Sequence, residues 1–106
     1  MTRPRPRRLG VVVSTAADVD LALGLALGAR DRDIDVDVFV MDEAVAAVAS
    51  RREQVERLVD AGCELCACAH SASERGLADT DLGMTLGSQD DHAAIASRAD
   101  RLVAFT

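Results

Sequence analysis

Apolar and polar positions follow two periods along this chain. Gly10-Val11-Val12-Val13 is an unbroken apolar run, the pattern of a strand buried on both faces, so a first strand is expected over Arg8–Ser14. Thr15-Ala16-Ala17-Asp18 follows and offers a hydroxyl and a carboxylate to orphan helix amides. The helix behind it is expected from about Asp18 to Arg30 and is apolar on most sides, which places it against the sheet and against something more. Gly24 and Gly28, one turn apart, weaken that helix but permit close approach of a neighbour. A second strand is expected over Ile34–Met41. Asp33, Asp35 and Asp37 alternate with Ile34, Val36 and Val38 before the continuously apolar Phe39-Val40, so it starts exposed on one face and ends buried.

The stretch Asp42–Ala61 carries Val45, Val48, Val55, Leu58 and Val59 on a helical stripe, and Gly62 is the expected stop. Ser50-Arg51-Arg52-Glu53 has the form of a capping box, which allows this stretch to be two helices. Cys63–Ala69 is a short apolar third strand. Ser71-Ala72-Ser73-Glu74 then resembles a capping box, starting a helix that Gly76 ends. Asp79–Gly87 is expected as a loop, Ser88–Arg98 as a last helix and Arg101–Phe105 as a last strand. The order β-α-β-α-β-α-α-β specifies an α/β protein, a three-layer α/β/α sandwich with a mainly parallel sheet. Ligands in such sheets sit at the C-terminal ends of the strands, here Ser14-Thr15, Met41-Asp42 and Cys68 to His70.

Composition narrows the function. At 106 residues the chain is one domain, read as residues 9–106 behind a flexible basic leader, residues 1–8, that holds Arg3, Arg5, Arg7, Arg8 and both prolines. Aromatic residues are only 2%, so the core is Val, Leu, Ala and Ile, with no stacking platform for bases. The net charge of −6 adds to this, and a nucleic-acid partner is not expected. No apolar run approaches the ~18 residues of a membrane helix. The arginines before Leu9–Ala17 imitate a signal peptide, but that stretch is short and is cut by Asp18 and Asp20. A cytoplasmic location is therefore expected, with the three cysteines as reduced thiols, their odd number also arguing against a disulfide framework. Gly24 and Gly28 lie inside a helix and form no phosphate loop, and no pair of acid/base carboxylates stands out, so no cofactor is expected.

The informative cluster is Gly62-Cys63-Glu64-Leu65-Cys66-Ala67-Cys68-Ala69-His70. As a metal site it fails on geometry. On a strand Cys66, Cys68 and His70 share one face and Cys63 the other, and one extended strand cannot wrap ligands tetrahedrally. As packing it is reasonable, since cysteine behaves as a small hydrophobe and buried thiols are inert; this suits Cys63 and Cys66, while His70 reads as an ordinary strand-end residue. Cys68 admits two readings, packing or a reactive thiolate. It precedes a helix N-terminus, whose partial positive charge favours the thiolate, and His70 can add to this. A redox pair of Cys66 and Cys68 is also conceivable, but side chains ~6.6–7 Å apart along a strand do not readily form a disulfide.

The same residues resemble a known family. Asp20 to Ala26 looks like the first helix of the DsrE/DsrF-like group, which includes TusD-type sulfur-relay subunits. Val38 to Val45 looks like its strand and turn before the second helix. Gly62 to Cys68 followed by Ser71 to Leu77 is similar to its cysteine strand and helix, and Gly87-Ser88 with Ala99 to Phe105 resembles its closing helix and strand. The resemblance implies a Rossmann-like DsrEFH fold and a persulfide-carrying cysteine at the end of this strand, which by position is Cys68. Ser14, Thr15, Asp42, Cys66, His70 and Ser71 are then the expected pocket lining. It further implies sulfur donor and acceptor proteins as partners and assembly into a homotrimer or hexamer. Some relatives lack the cysteine and serve only in assembly, so a non-catalytic assembly or small-ligand binding subunit is the alternative. The turn Met41-Asp42-Glu43-Ala44 departs from the glycine-aspartate-glycine turn frequent in relatives.

Overall fold

A computed structural model describes residues 7–106, so the expected basic leader lies outside the described residues except for Arg7 and Arg8. Arg8 is the first residue of a strand. The elements are β1 (Arg8–Val13), a short 3₁₀ turn (Ala16–Asp18), α1 (Val19–Asp31), β2 (Asp35–Val40), α2 (Ala44–Ala49), α3 (Arg52–Asp60), β3 (Glu64–Cys68), α4 (Ala69–Glu74), α5 (Asp79–Leu82), β4 (Thr85–Gly87), α6 (Gln89–Arg98) and β5 (Arg101–Phe105). The stretch Asp42–Ala61 is indeed two helices, broken at Ser50-Arg51.

All strand pairs are parallel, in the order β4-β3-β2-β1-β5. This order decides where the helices go. From β1 to β4 the chain steps one strand at a time in one direction, and right-handed crossovers put α1 to α5 on one face. The return from β4 to β5 crosses the whole sheet, and the same handedness sends α6 to the other face. The α/β/α expectation holds, with five helices above the sheet and one below among the described residues.

The core is correspondingly lopsided. On the α1 side Val11, Val13, Val36, Val38, Val40, Leu65 and Ala67 pack against Val19, Leu23, Val45, Val48, Val55 and Leu58. On the α6 side the buried cluster among the described residues is Val12, Phe39, Cys68 and Ile95, with Met41 and Cys66 beside it. Gly10 explains how α6 and β5 sit so close. A Cβ there would stand 2.8 Å from Leu102 Cδ1 and 3.2 Å from both Ala99 Cβ and Ile95 Cγ2. Gly24 and Gly28 have no such neighbour among the described residues.

Two expectations are corrected. Asp79–Gly87 is not a loop: it forms α5, whose Leu82 is fully buried, and the edge strand β4. Three residues are too few to show a period, and Thr85-Leu86-Gly87 is a strand because it pairs with the free edge of β3. Asp37 is not on an exposed strand start but 1% exposed. Arg98 at the end of α6 clamps it with two hydrogen bonds, Nε to Oδ2 at 3.0 Å and Nη2 to Oδ1 at 2.7 Å, and Arg8 Nη1 adds a third at 3.0 Å. A buried carboxylate needs such partners. The clamp pins the C-terminal end of α6, the helix that covers this face.

Candidate functional site

Cys68 is the last residue of β3 and also the N-cap of α4, with extended backbone (φ −64°, ψ 119°). The helix therefore begins two residues before the expected capping box. The thiol stands where a serine or aspartate oxygen caps most helices. It is only 6% exposed. Burial alone pushes the thiol up, but hydrogen bonding outweighs it. The Ser71 hydroxyl, the Ser71 and His70 backbone amides and the Gln89 side chain all favour the thiolate, and the Cys68 pKa is lowered from its ordinary value.

Those partners are themselves held. Ser71 is buried, and its Oγ accepts a 2.9 Å hydrogen bond from the Asp42 backbone N–H. Asp42 sits at φ 52°, the left-handed region that Asp tolerates better than most residues. Asp42 itself makes the bend between β2 and α2. Gln89 Nε2 lies 4.0 Å from Cys68 Sγ. Its Oε1 lies 3.0 Å from His92 Nδ1, which donates there when protonated, and the His92 ring stacks on Phe39 at 5.1 Å with an interplanar angle of 14°. A chain of contacts thus runs from the sheet through His92 and Gln89 to the thiol.

The expected lining residues fall into two groups. Cys66 and Ser71 belong to the thiol's surroundings, and Asp42 supports Ser71 through its backbone. His70 contributes only its backbone amide. Its imidazole is 80% exposed and lies 3.0 Å from Glu74 Oε1, because the early helix start swings it off the strand face. Ser14 and Thr15 are at the end of β1, two strands from β3. The Ser14 hydroxyl donates to the Phe105 carbonyl at 3.4 Å and Thr15 Oγ1 to Asp18 Oδ2 at 2.6 Å. Nothing in the local sequence pattern singles out Gln89 or His92. They reach the site because β4 lies next to β3, and the strand-end rule would find them once β4 is known.

The other thiols differ in setting. Cys63 lies in the core on the α1 side, and burial pushes its pKa up. Cys66 faces the α6 side with Cys68, and burial, the Asp91 carboxylate and Cys68 push its thiol up. Cys66 borders a cavity of about 180 Å³ shared with Asp37, Glu64, Thr85, Asp91 and Arg98. A larger groove of about 590 Å³ runs between α1 and α3, past Leu23, Gly24, Leu27, Arg51, Gln54 and Leu58, and holds no thiol. Among the described residues no three His, Cys, Asp or Glu side chains converge as metal ligands, and no helix is long and apolar enough to cross a membrane.

Comparison with known proteins adds to this geometry. The model of the DsrE/DsrF-like family matches residues 7–105, nearly the full length. No curated protein matches the chain in sequence. Among solved structures, a conserved protein of unknown function from Bacteroides thetaiotaomicron is similar, with a TM-score of 0.78 over 92% of this chain and 94% of that one. At 16% identity that likeness is one of fold.

Proposed function

The chain belongs to the DsrE/DsrF-like family, and we propose that within it this protein is a sulfur carrier that takes a persulfide on Cys68 and passes it to a partner. The observation that carries the proposal is the setting of that thiol. It is the one cysteine whose pKa is lowered, at a strand end and helix N-cap, with the Gln89 side-chain amide 4.0 Å from the sulfur. A thiolate is the species that attacks a sulfur electrophile, and the same setting stabilises it as the leaving group when sulfur moves on. The partners are a sulfur donor and a sulfur acceptor protein. The three free thiols suit a cytoplasmic setting, where thiols stay reduced.

Incubation of the reduced protein with a cysteine desulfurase and its substrate, followed by iodoacetamide trapping and intact mass, tests this directly. The expected result is a gain of sulfur that Cys68→Ser abolishes without loss of fold. Persistent loading in that variant overturns the assignment.

The alternative, an assembly subunit, is favoured by one observation. Leu21 and Leu25 on the outer side of α1 are 66% and 38% exposed, a surface suited to a second copy in a homotrimer or hexamer. The two roles are compatible. Sedimentation of the native chain against Leu21→Lys tests the assembly, which the variant should weaken.

A further inference from the structure

Cys66 and Cys68 point to the same face of β3 and meet the same small cluster of Val12, Phe39 and Ile95. The Cys66 side chain does not stand straight off its strand. Its register partner on β4 is Thr85, yet its Sγ lies 2.5 Å from where a Cβ on Gly87 would stand, and Gly87 is the register partner of Cys68. The sulfur of Cys66 therefore leans along the strand toward the level of Cys68. The Asp91 Oδ2 lies 2.5 Å from that same point, so thiol and carboxylate share the space that the glycine leaves free. Behind Cys66 is the cavity of about 180 Å³, with room for one more sulfur atom.

Resting on the carrier reading of Cys68, we propose that Cys66 is a second sulfur-holding position, loaded from Cys68 by intramolecular thiol–persulfide exchange. Cys66 attacks the outer sulfur of Cys68–S–SH, and its proton passes toward the neighbouring Asp91 carboxylate as the new bond forms. The bond from Cys66 to that sulfur forms, and the S–S bond to Cys68 breaks. Its electron pair leaves with Cys68 as the thiolate, which the Ser71 hydroxyl and the His70 and Ser71 amides receive. The proton on the transferred sulfur stays there, and no oxidant or reductant enters.

Geometry separates this from a disulfide. Two thiols at alternate strand positions are too far apart to bond directly without rearrangement, but a persulfide reaches about 2 Å further, one S–S length. The direction of transfer follows from the two settings. Burial and Asp91 keep free Cys66 a neutral thiol, which does not compete for the external donor. Cys68, the less basic thiol, is the better leaving group. Sulfur on Cys66 sits beside the cavity that Glu64, Thr85 and Arg98 also line.

The test is time-resolved loading with a cysteine desulfurase, quenched by iodoacetamide in denaturant, with fragment mass spectrometry to place the added sulfur. Sulfur on Cys68 first and on Cys66 later, none on either in Cys68→Ser, and retention on Cys68 in Cys66→Ser is the expected result. Sulfur confined to Cys68 at all times in the native chain overturns the exchange and leaves the carrier reading standing. Loading of Cys66 in Cys68→Ser at the native rate shows independent acceptance and also overturns it. Loading of neither cysteine overturns the carrier reading and the exchange together.

Discussion

Replacement of Asp37 by Asn probes the device that holds α6 on the sheet. Asn keeps the shape of the side chain and one acceptor oxygen but removes the charge, and its amide then faces a guanidinium. Three hydrogen bonds from two arginines are affected. Breaking a fully buried ion pair costs about 3–5 kcal/mol because the surviving charge is stranded. Here the survivors are not stranded: the Arg98 and Arg8 side chains are 46% and 28% exposed and recover water. The expected loss is therefore about 2–3 kcal/mol, below that range and above the worth of a surface pair. Urea unfolding at neutral pH should show a lower midpoint with an unchanged slope. The pH dependence follows from the direction of the shift. Burial opposes ionisation of Asp37, but Arg98 and Arg8 outweigh it and hold its pKa below the ordinary value. The stabilisation is thus present above the ordinary carboxylate range and is lost as pH falls through the depressed value. The gap between native chain and variant should close in acid. A difference under about 0.5 kcal/mol at neutral pH, the usual size for an unremarkable surface change, refutes the clamp. So does a gap that persists undiminished in acid.

Other expectations concern the thiol. Ser71→Ala removes a hydroxyl that favours the thiolate, so the pH midpoint of Cys68 alkylation should rise; it also orphans the Asp42 amide, at a cost of about 1–2 kcal/mol read by thermal melting. His70→Ala should leave that midpoint and sulfur loading unchanged, since only an exposed pair with Glu74 is lost, worth no more than about 0.5 kcal/mol. Gly87→Ala puts a Cβ 2.5 Å from both Cys66 Sγ and Asp91 Oδ2, and forced repacking should lower stability by about 1–3 kcal/mol in urea unfolding. The same change displaces Asp91 Oδ2 from its 2.8 Å hydrogen bond with the Ser88 amide, so protection of the first turn of α6 from hydrogen exchange should fall as well.

The sequence by itself determined the layer architecture. Runs such as Val11-Val12-Val13 and Phe39-Val40 can only be doubly covered strands, and the helical stripe through Val45, Val55 and Leu58 can only be one covering side. It also determined that Cys66 and Cys68 share a face, because alternation along a strand is fixed by backbone geometry. The tertiary structure decided what those side chains meet. The edge strand β4 exists because β3 has a free edge, and only that pairing brings Gln89 and His92 over the thiol. The start of α4 at Ala69 turned His70 outward and left its amide, not its ring, at Cys68. The burial of Asp37 depended on an arginine at the far end of a helix that crosses the whole sheet. Periodicity is a property of neighbours in the chain, so it specifies faces. A site is built from residues distant in the chain, and their meeting is set by strand order and crossover hand.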